Sequence, residues 1–147
     1  MFNETQVTFS GWIGSDVMLR EVAGGQQVAT FRVATKPRRL REGEWVDGPT
    51  TWHTVKAWNR LARHVAASLG SGQPVLVHGK LVADTWTRDD GSTTTSYAVV
   101  ASSVGHDLVH GTTTFVRPRT VPPEETSPDD TSSPTRSPDT TVQPEAA

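Results

Sequence analysis

Residues 50–65 read TTWHTVKAWNRLARHV, and the periodicity changes in the middle of the stretch. Up to Trp58 the side chains alternate. Trp52, Thr54, Lys56 and Trp58 share one parity; His53, Val55 and Ala57 share the other. That is the period of an extended strand, whose successive side chains leave opposite faces. From Asn59 the spacing becomes helical. Leu61, Ala62, Val65, Ala66 and Leu69 recur three and four apart, Asn59 is placed to cap the helix and Gly70 to end it. One strand running directly into one helix is the feature around which the rest of the chain is arranged.

The parity also sorts the two strand faces. A buried lysine is costly unless it is paired, so the face with Lys56 is a poor core and Val55 and Ala57 belong to the better one. Two tryptophans, a threonine and a lysine side by side suit a stacking surface; a tryptophan in a strand is more often a core residue, and the residues alone leave both readings open. Nucleic-acid bases stack on aromatic rings while Lys or Arg neutralises the backbone.

Outside this stretch the chain reads as β-rich. Strands are expected over 5–13, where Val7, Phe9, Gly11 and Ile13 share a parity, over a short 17–22, and over 27–35, with Ala29, Phe31 and Val33 inward. Residues 36–49, KPRRLREGEWVDGP, form a long loop or hairpin tip, with Asp47-Gly48 as a turn dipeptide. A long strand follows over 73–87, placing Lys80 and Trp86 on one parity. Asp90-Gly91 then turns the chain into a last strand near 93–104. With 5–13 and 17–22 taken as a bent meander, the single helix lies between the third and fourth main strands. This order fits an all-β OB-fold, a five-stranded Greek-key barrel with one helix. Such barrels bind oligonucleotides, sugars or proteins, so the fold alone assigns no function.

Composition divides the chain. Residues 116–147 hold seven of the ten prolines and no aromatic residue, and are expected to be a disordered tail after a folded domain over 1–115. The domain carries eleven basic and ten acidic residues, so binding to a polyanion must use a local patch. Lys36, Arg38, Arg39 and Arg41 supply four positive charges within six residues, and Arg32, Lys56, Lys80 and Arg88 extend the track. There is no cysteine, which removes disulfide and thiolate–metal chemistry. No apolar run approaches the ~20 residues of a membrane-spanning helix, and the first residues do not read as a signal peptide, so a cytoplasmic protein is expected.

Enzymatic signals are weak. Gly79-Lys80-Leu81 lacks both the glycine spacing and the Ser or Thr of a phosphate-binding loop. His106, Asp107 and His110 lack the further ligands in register that a metal site needs, and Asp89-Asp90 reads as a turn. Neither a cofactor nor a catalytic role is expected.

In order and spacing, VTFSGWIGSDVMLR, GGQQVATFRVAT, TTWHTVKAWNRLARHV, GQPVLVHGKLVADTW and TSYAVVASSV together resemble the bacterial single-stranded DNA-binding proteins. The short length and the segment GHDLVHGTTTF are similar to the secondary actinobacterial paralogues. The resemblance implies a homotetramer of OB-folds that binds single-stranded DNA in replication, recombination or repair. It places Trp52, Trp58 and Trp86 at base-stacking positions and His53 at a subunit interface; the residue reading alone also allows His53 as a core histidine. Two departures stand out. Lys36-Pro37-Arg38-Arg39 occupies a position that often holds an aromatic residue. The chain also ends Gln143-Pro144-Glu145-Ala146-Ala147, with only Asp129-Asp130 as an acidic pair, which does not support docking of replication or repair enzymes through the C-terminus. Two competing readings are a protein-interaction OB module of a replication-restart complex and an OB-fold nuclease.

Overall fold

The computed structural model describes residues 3–119, and the compact unit is Met1–Thr114. The expected tail lies for the most part outside the described residues.

The strands are β1 (Gln6–Ile13), β2 (Met18–Glu21), β3 (Gln27–Thr35), β4 (Arg38–Arg41), β5 (Glu44–Asp47), β6 (Thr51–Trp58), β7 (Pro74–Thr87) and β8 (Thr93–His106), with helix α1 (Asn59–Ser68) between β6 and β7. β1 pairs with β7, β7 with β8, β8 with β6 and β6 with β3, and β3 returns to β1 through Trp12↔Ala34 and Ile13↔Val33. The five long strands thus form a closed ring with the helix between the third and fourth of them, which is the OB-fold order. Closure depends on Gly11, where a Cβ would lie 2.4 Å from the Ala34 carbonyl oxygen and 2.7 Å from Val33 Cγ1.

The expected inward set of β3 is kept: Ala29, Phe31 and Val33 are fully buried, together with Val55 and Ala57 of β6, while Val28 is buried on the opposite parity. Ala62 and Val65 of α1 join this core. Burial of Phe31 and of each of these valine side chains stabilises the fold by roughly 1.5–3 kcal/mol before chain entropy is counted, and each alanine by less.

Two local expectations need correction. Asn59 does not cap α1. Trp58 is the capping residue, with no side-chain cap bond, and Asn59 takes φ 53°, a left-handed conformation that Asn tolerates better than most residues. Its side-chain oxygen instead accepts a hydrogen bond from the Gln27 amide at 3.3 Å, tying the helix start to β3. Within residues 36–49 the turn is at Glu42-Gly43, not Asp47-Gly48. Both turn residues have positive φ, 51° and 82°, which matches the twist of a tight hairpin, so the segment is the two-stranded ribbon β4–β5.

Candidate nucleic-acid interface

The expected stacking residues share a face by register. On β6, Trp52, Thr54, Lys56 and Trp58 point away from the core and lie opposite Ala34, Arg32, Thr30 and Val28 of β3. Thr54 and Lys56 pair on the other side with Ala98 and Val100 of β8, which pair with Val82 and Lys80 of β7. The one irregularity in the β7–β8 ladder is at His78/Gly79, so the alternation runs unbroken from Gly79 to Thr87 and puts Asp84 and Trp86 on the face of Val82. Two tryptophans of β6 and one of β7 therefore project from one side of β6–β8–β7. Trp86 is carried farthest out, where β7 and β8 pair only with each other. Trp52 is 46% exposed, Trp58 36% and Trp86 47%. Each ring keeps accessible area that burial in a core would have removed.

Trp52 has a defined setting. The Arg32 guanidinium carbon lies 4.9 Å from the centroid of its ring system, a cation–π contact. The Arg32 amide donates to Ser15 Oγ at 2.9 Å, and its carbonyl accepts from the Gly14 amide at 3.0 Å. The strand beneath the guanidinium is thereby fixed to the chain leaving β1.

The eight expected cations fall into two groups. Lys36 and Arg38 both pair with Asp47, at 3.1 and 3.0 Å; Lys56 lies 3.5 Å from Asp84; Lys80 lies 3.2 Å from Glu4. Arg32, Arg39, Arg41 and Arg88 form no salt bridge with another described residue. All three lysines are thus paired, and the unpaired positions are all arginines, whose planar fork suits phosphate oxygens. The ribbon separates its own charges: Arg38 and Asp47 share a cross-strand site, while Arg39 and Arg41 lie on the opposite parity of β4 from Arg38 or beyond it along the ribbon. Hydrogen bonding and charge attraction from Lys36, with a smaller contribution from Arg38, hold the Asp47 carboxyl below its usual pKa. Asp47 stays ionised and keeps the two cations engaged. These counter-charges were not singled out in the sequence.

His53 is half-buried at the edge of the core. Its Nε2 lies 3.0 Å from Thr35 Oγ1, and its ring centroid 4.6 Å from that of Phe9. It borders an open groove with Phe9, Ser10 and Thr51. The residues considered for a metal are occupied separately. His106 Nε2 hydrogen-bonds Gln73 Oε1 at 2.9 Å, the His110 ring packs at a tilt against Trp12 with centroids 4.9 Å apart, and Asp107 accepts from the Val109 amide at 3.1 Å. No group of three or more His, Asp or Glu suited to a metal occurs among the described residues. No helix among them is long and apolar enough to cross a membrane.

The model of the Single-strand binding protein family matches residues 4–107. Single-stranded DNA-binding protein 2 of Streptomyces avermitilis is 42% identical over 118 residues, covering 79% of this chain and 73% of the relative. Single-stranded DNA-binding protein 1 of Streptomyces coelicolor is 37% identical over 117 residues, covering 78% and 74%. Among solved structures, the small single-stranded DNA-binding protein from Streptomyces coelicolor superposes with a TM-score of 0.66 at 34% identity, covering 75% of this chain and 100% of that one. The second such protein (SSBb) from Mycobacterium smegmatis gives 0.57 at 31%, covering 78% and 100%. These relatives are named as DNA-binding proteins and not as enzymes. The chain belongs to the single-strand binding protein family.

Proposed function

We propose that this protein binds single-stranded DNA with little sequence preference, stacking bases on Trp52, Trp58 and Trp86 and setting phosphates against arginines. The observation that carries the reading is the common face of the three half-exposed tryptophans, brought together by the β6–β8–β7 register. Every base has a π-face, so stacking is indifferent to sequence, and roughly 1–3 kcal/mol per base is typical. Arg32, Arg39, Arg41 and Arg88 are the phosphate contacts of first rank. Lys36, Arg38, Lys56 and Lys80 contribute less, because each must first leave a carboxylate.

The active unit is a homotetramer, with His53 and Phe9 at a subunit boundary. The half-buried His53 ring beside an open groove supports this assignment. The protein acts where bacterial single strands arise in replication, recombination or repair, in the cytoplasmic nucleoid. Titration of labelled oligo(dT) and of a duplex of equal length, followed by anisotropy, tests the reading. Tight binding of the single strand and weak binding of the duplex support it; equal binding of the two overturns it. Sedimentation of the same protein tests the tetramer, which a monomer at micromolar concentration would refute.

A further inference from the structure

Gly14 follows β1, and its φ lies outside the left-handed region, so backbone conformation does not require glycine there. The neighbours do. A Cβ at this position would lie 2.3 Å from Trp52 Cζ3 and 2.4 Å from Cη2, with Cε3 third at 3.7 Å. These are the three nearest atoms, and all belong to one side chain. The order of distances also gives the direction of approach. A Cβ above the ring would have Cε3 nearly as close as its two neighbours. Two short distances and one long one mean that Gly14 meets the Cζ3–Cη2 edge of the indole.

The ring is thus located from two directions. Gly14 stops its outer edge, and the Arg32 guanidinium covers one face. Its 46% exposure leaves part of the residue open to a base. A side chain at position 14 would push the edge away and turn or shift the platform.

We infer that Gly14 is a positioning residue for DNA binding: its missing side chain seats the edge of the Trp52 ring and so fixes the plane on which a base stacks. The inference rests on the proposed stacking role of Trp52. A phenylalanine side chain at position 52 would end short of the Cζ3–Cη2 edge, so the two requirements can be separated by a double-mutant cycle.

The test compares the full chain with Gly14→Ala, Trp52→Phe and the double variant. The measurements are oligo(dT) affinity, quenching of the remaining tryptophan fluorescence, and melting temperature. Gly14→Ala should weaken binding about tenfold when Trp52 is present, the loss of about one stacked base. In the Trp52→Phe background it should cost less than about twofold. An equal loss in both backgrounds would make Gly14 a general structural glycine and overturn the inference. So would no loss in the chain that keeps Trp52. The reading beneath it fails separately: if Trp52→Phe alone changes neither affinity nor quenching, Trp52 is not a stacking residue and the role of Gly14 falls with it. If Gly14→Ala does not fold, the double variant decides. Melting as the Trp52→Phe chain does supports the ring contact, and unfolding as well refutes it.

Discussion

The tryptophan face of β6–β8–β7 and the basic ribbon β4–β5 were both expected to meet DNA, yet they are built differently. The face is set by strand register inside a closed ring, with Val55, Ala57 and Val99 buried beneath it. The Trp52 ring has a fixed setting, given by its contacts with Gly14 and Arg32. The ribbon pairs only with itself, all eight of its strand residues are exposed, and half of the cations expected over 36–49 are held by Asp47. Order therefore resides in the aromatic surface, and adjustable charge in the ribbon. On this view the sheet supplies most of the affinity and the ribbon most of the salt dependence.

The largest break in that comparison comes from the sheet. Trp58→Ala should weaken oligo(dT) binding by roughly 1–3 kcal/mol while sedimentation shows an unchanged oligomer. Removing Trp52, Trp58 and Trp86 together should leave only salt-sensitive association. Unchanged affinity in Trp58→Ala would remove that residue from the interface.

A smaller effect separates the ribbon's cations. Replacing Arg39 and Arg41 by Ala should flatten the dependence of log affinity on log salt by about 0.7 per lost phosphate contact. Replacing Lys36 and Arg38 should flatten it less. Equal changes would mean that the Asp47 pairing gives way whenever DNA is present.

The converse substitution sharpens the same point. Asp47→Asn should free Lys36 and Arg38, raise affinity at low salt and steepen the slope by up to about 1.4. Acid would do this poorly. The folded pKa of Asp47 is depressed, so its ion pairs are fully present above the ordinary carboxylate range and are lost only as pH falls through the lowered folded value. Affinity should accordingly show no inflection attributable to Asp47 near neutral pH.

The smallest effect concerns residues after Phe115, where acidic residues outnumber basic ones by six to three. Cutting there should tighten binding slightly at low salt if that segment competes for the basic surface. No change in the titration would make it a bystander.

What the sequence disclosed follows from how local each signal is. Alternation in 27–35 and 51–58 identified both strands and their buried faces, because period two needs no partner to be read. The helix after Trp58 was legible for the same reason, but its cap was not. Asn59 is an ordinary capping residue by type, and only contact with Gln27, thirty-two residues away, turns it to another use. The hairpin turn was misplaced because Asp-Gly is the stronger dipeptide, whereas the ribbon register selects Glu42-Gly43. The common parity of Trp52 and Trp58 was visible within one strand, but its extension to Trp86 passes through β8 and the parallel pairing Thr54↔Ala98. The carboxylates facing Lys36, Lys56 and Lys80 lie eleven or more residues from them, so charge counting could not sort paired from unpaired cations. Gly14 carries no signal beyond its identity until the Trp52 ring is seen at its side.

The proposed binding turns on the three tryptophans being a surface for bases and not part of a core. Intrinsic tryptophan fluorescence during titration with oligo(dT), at two salt concentrations and with duplex DNA as control, tests it most directly. Strong quenching by the single strand alone is expected, reduced in amplitude when Trp52, Trp58 or Trp86 is replaced by phenylalanine. Binding without quenching, or a quenching amplitude that all three replacements leave undiminished, would contradict it.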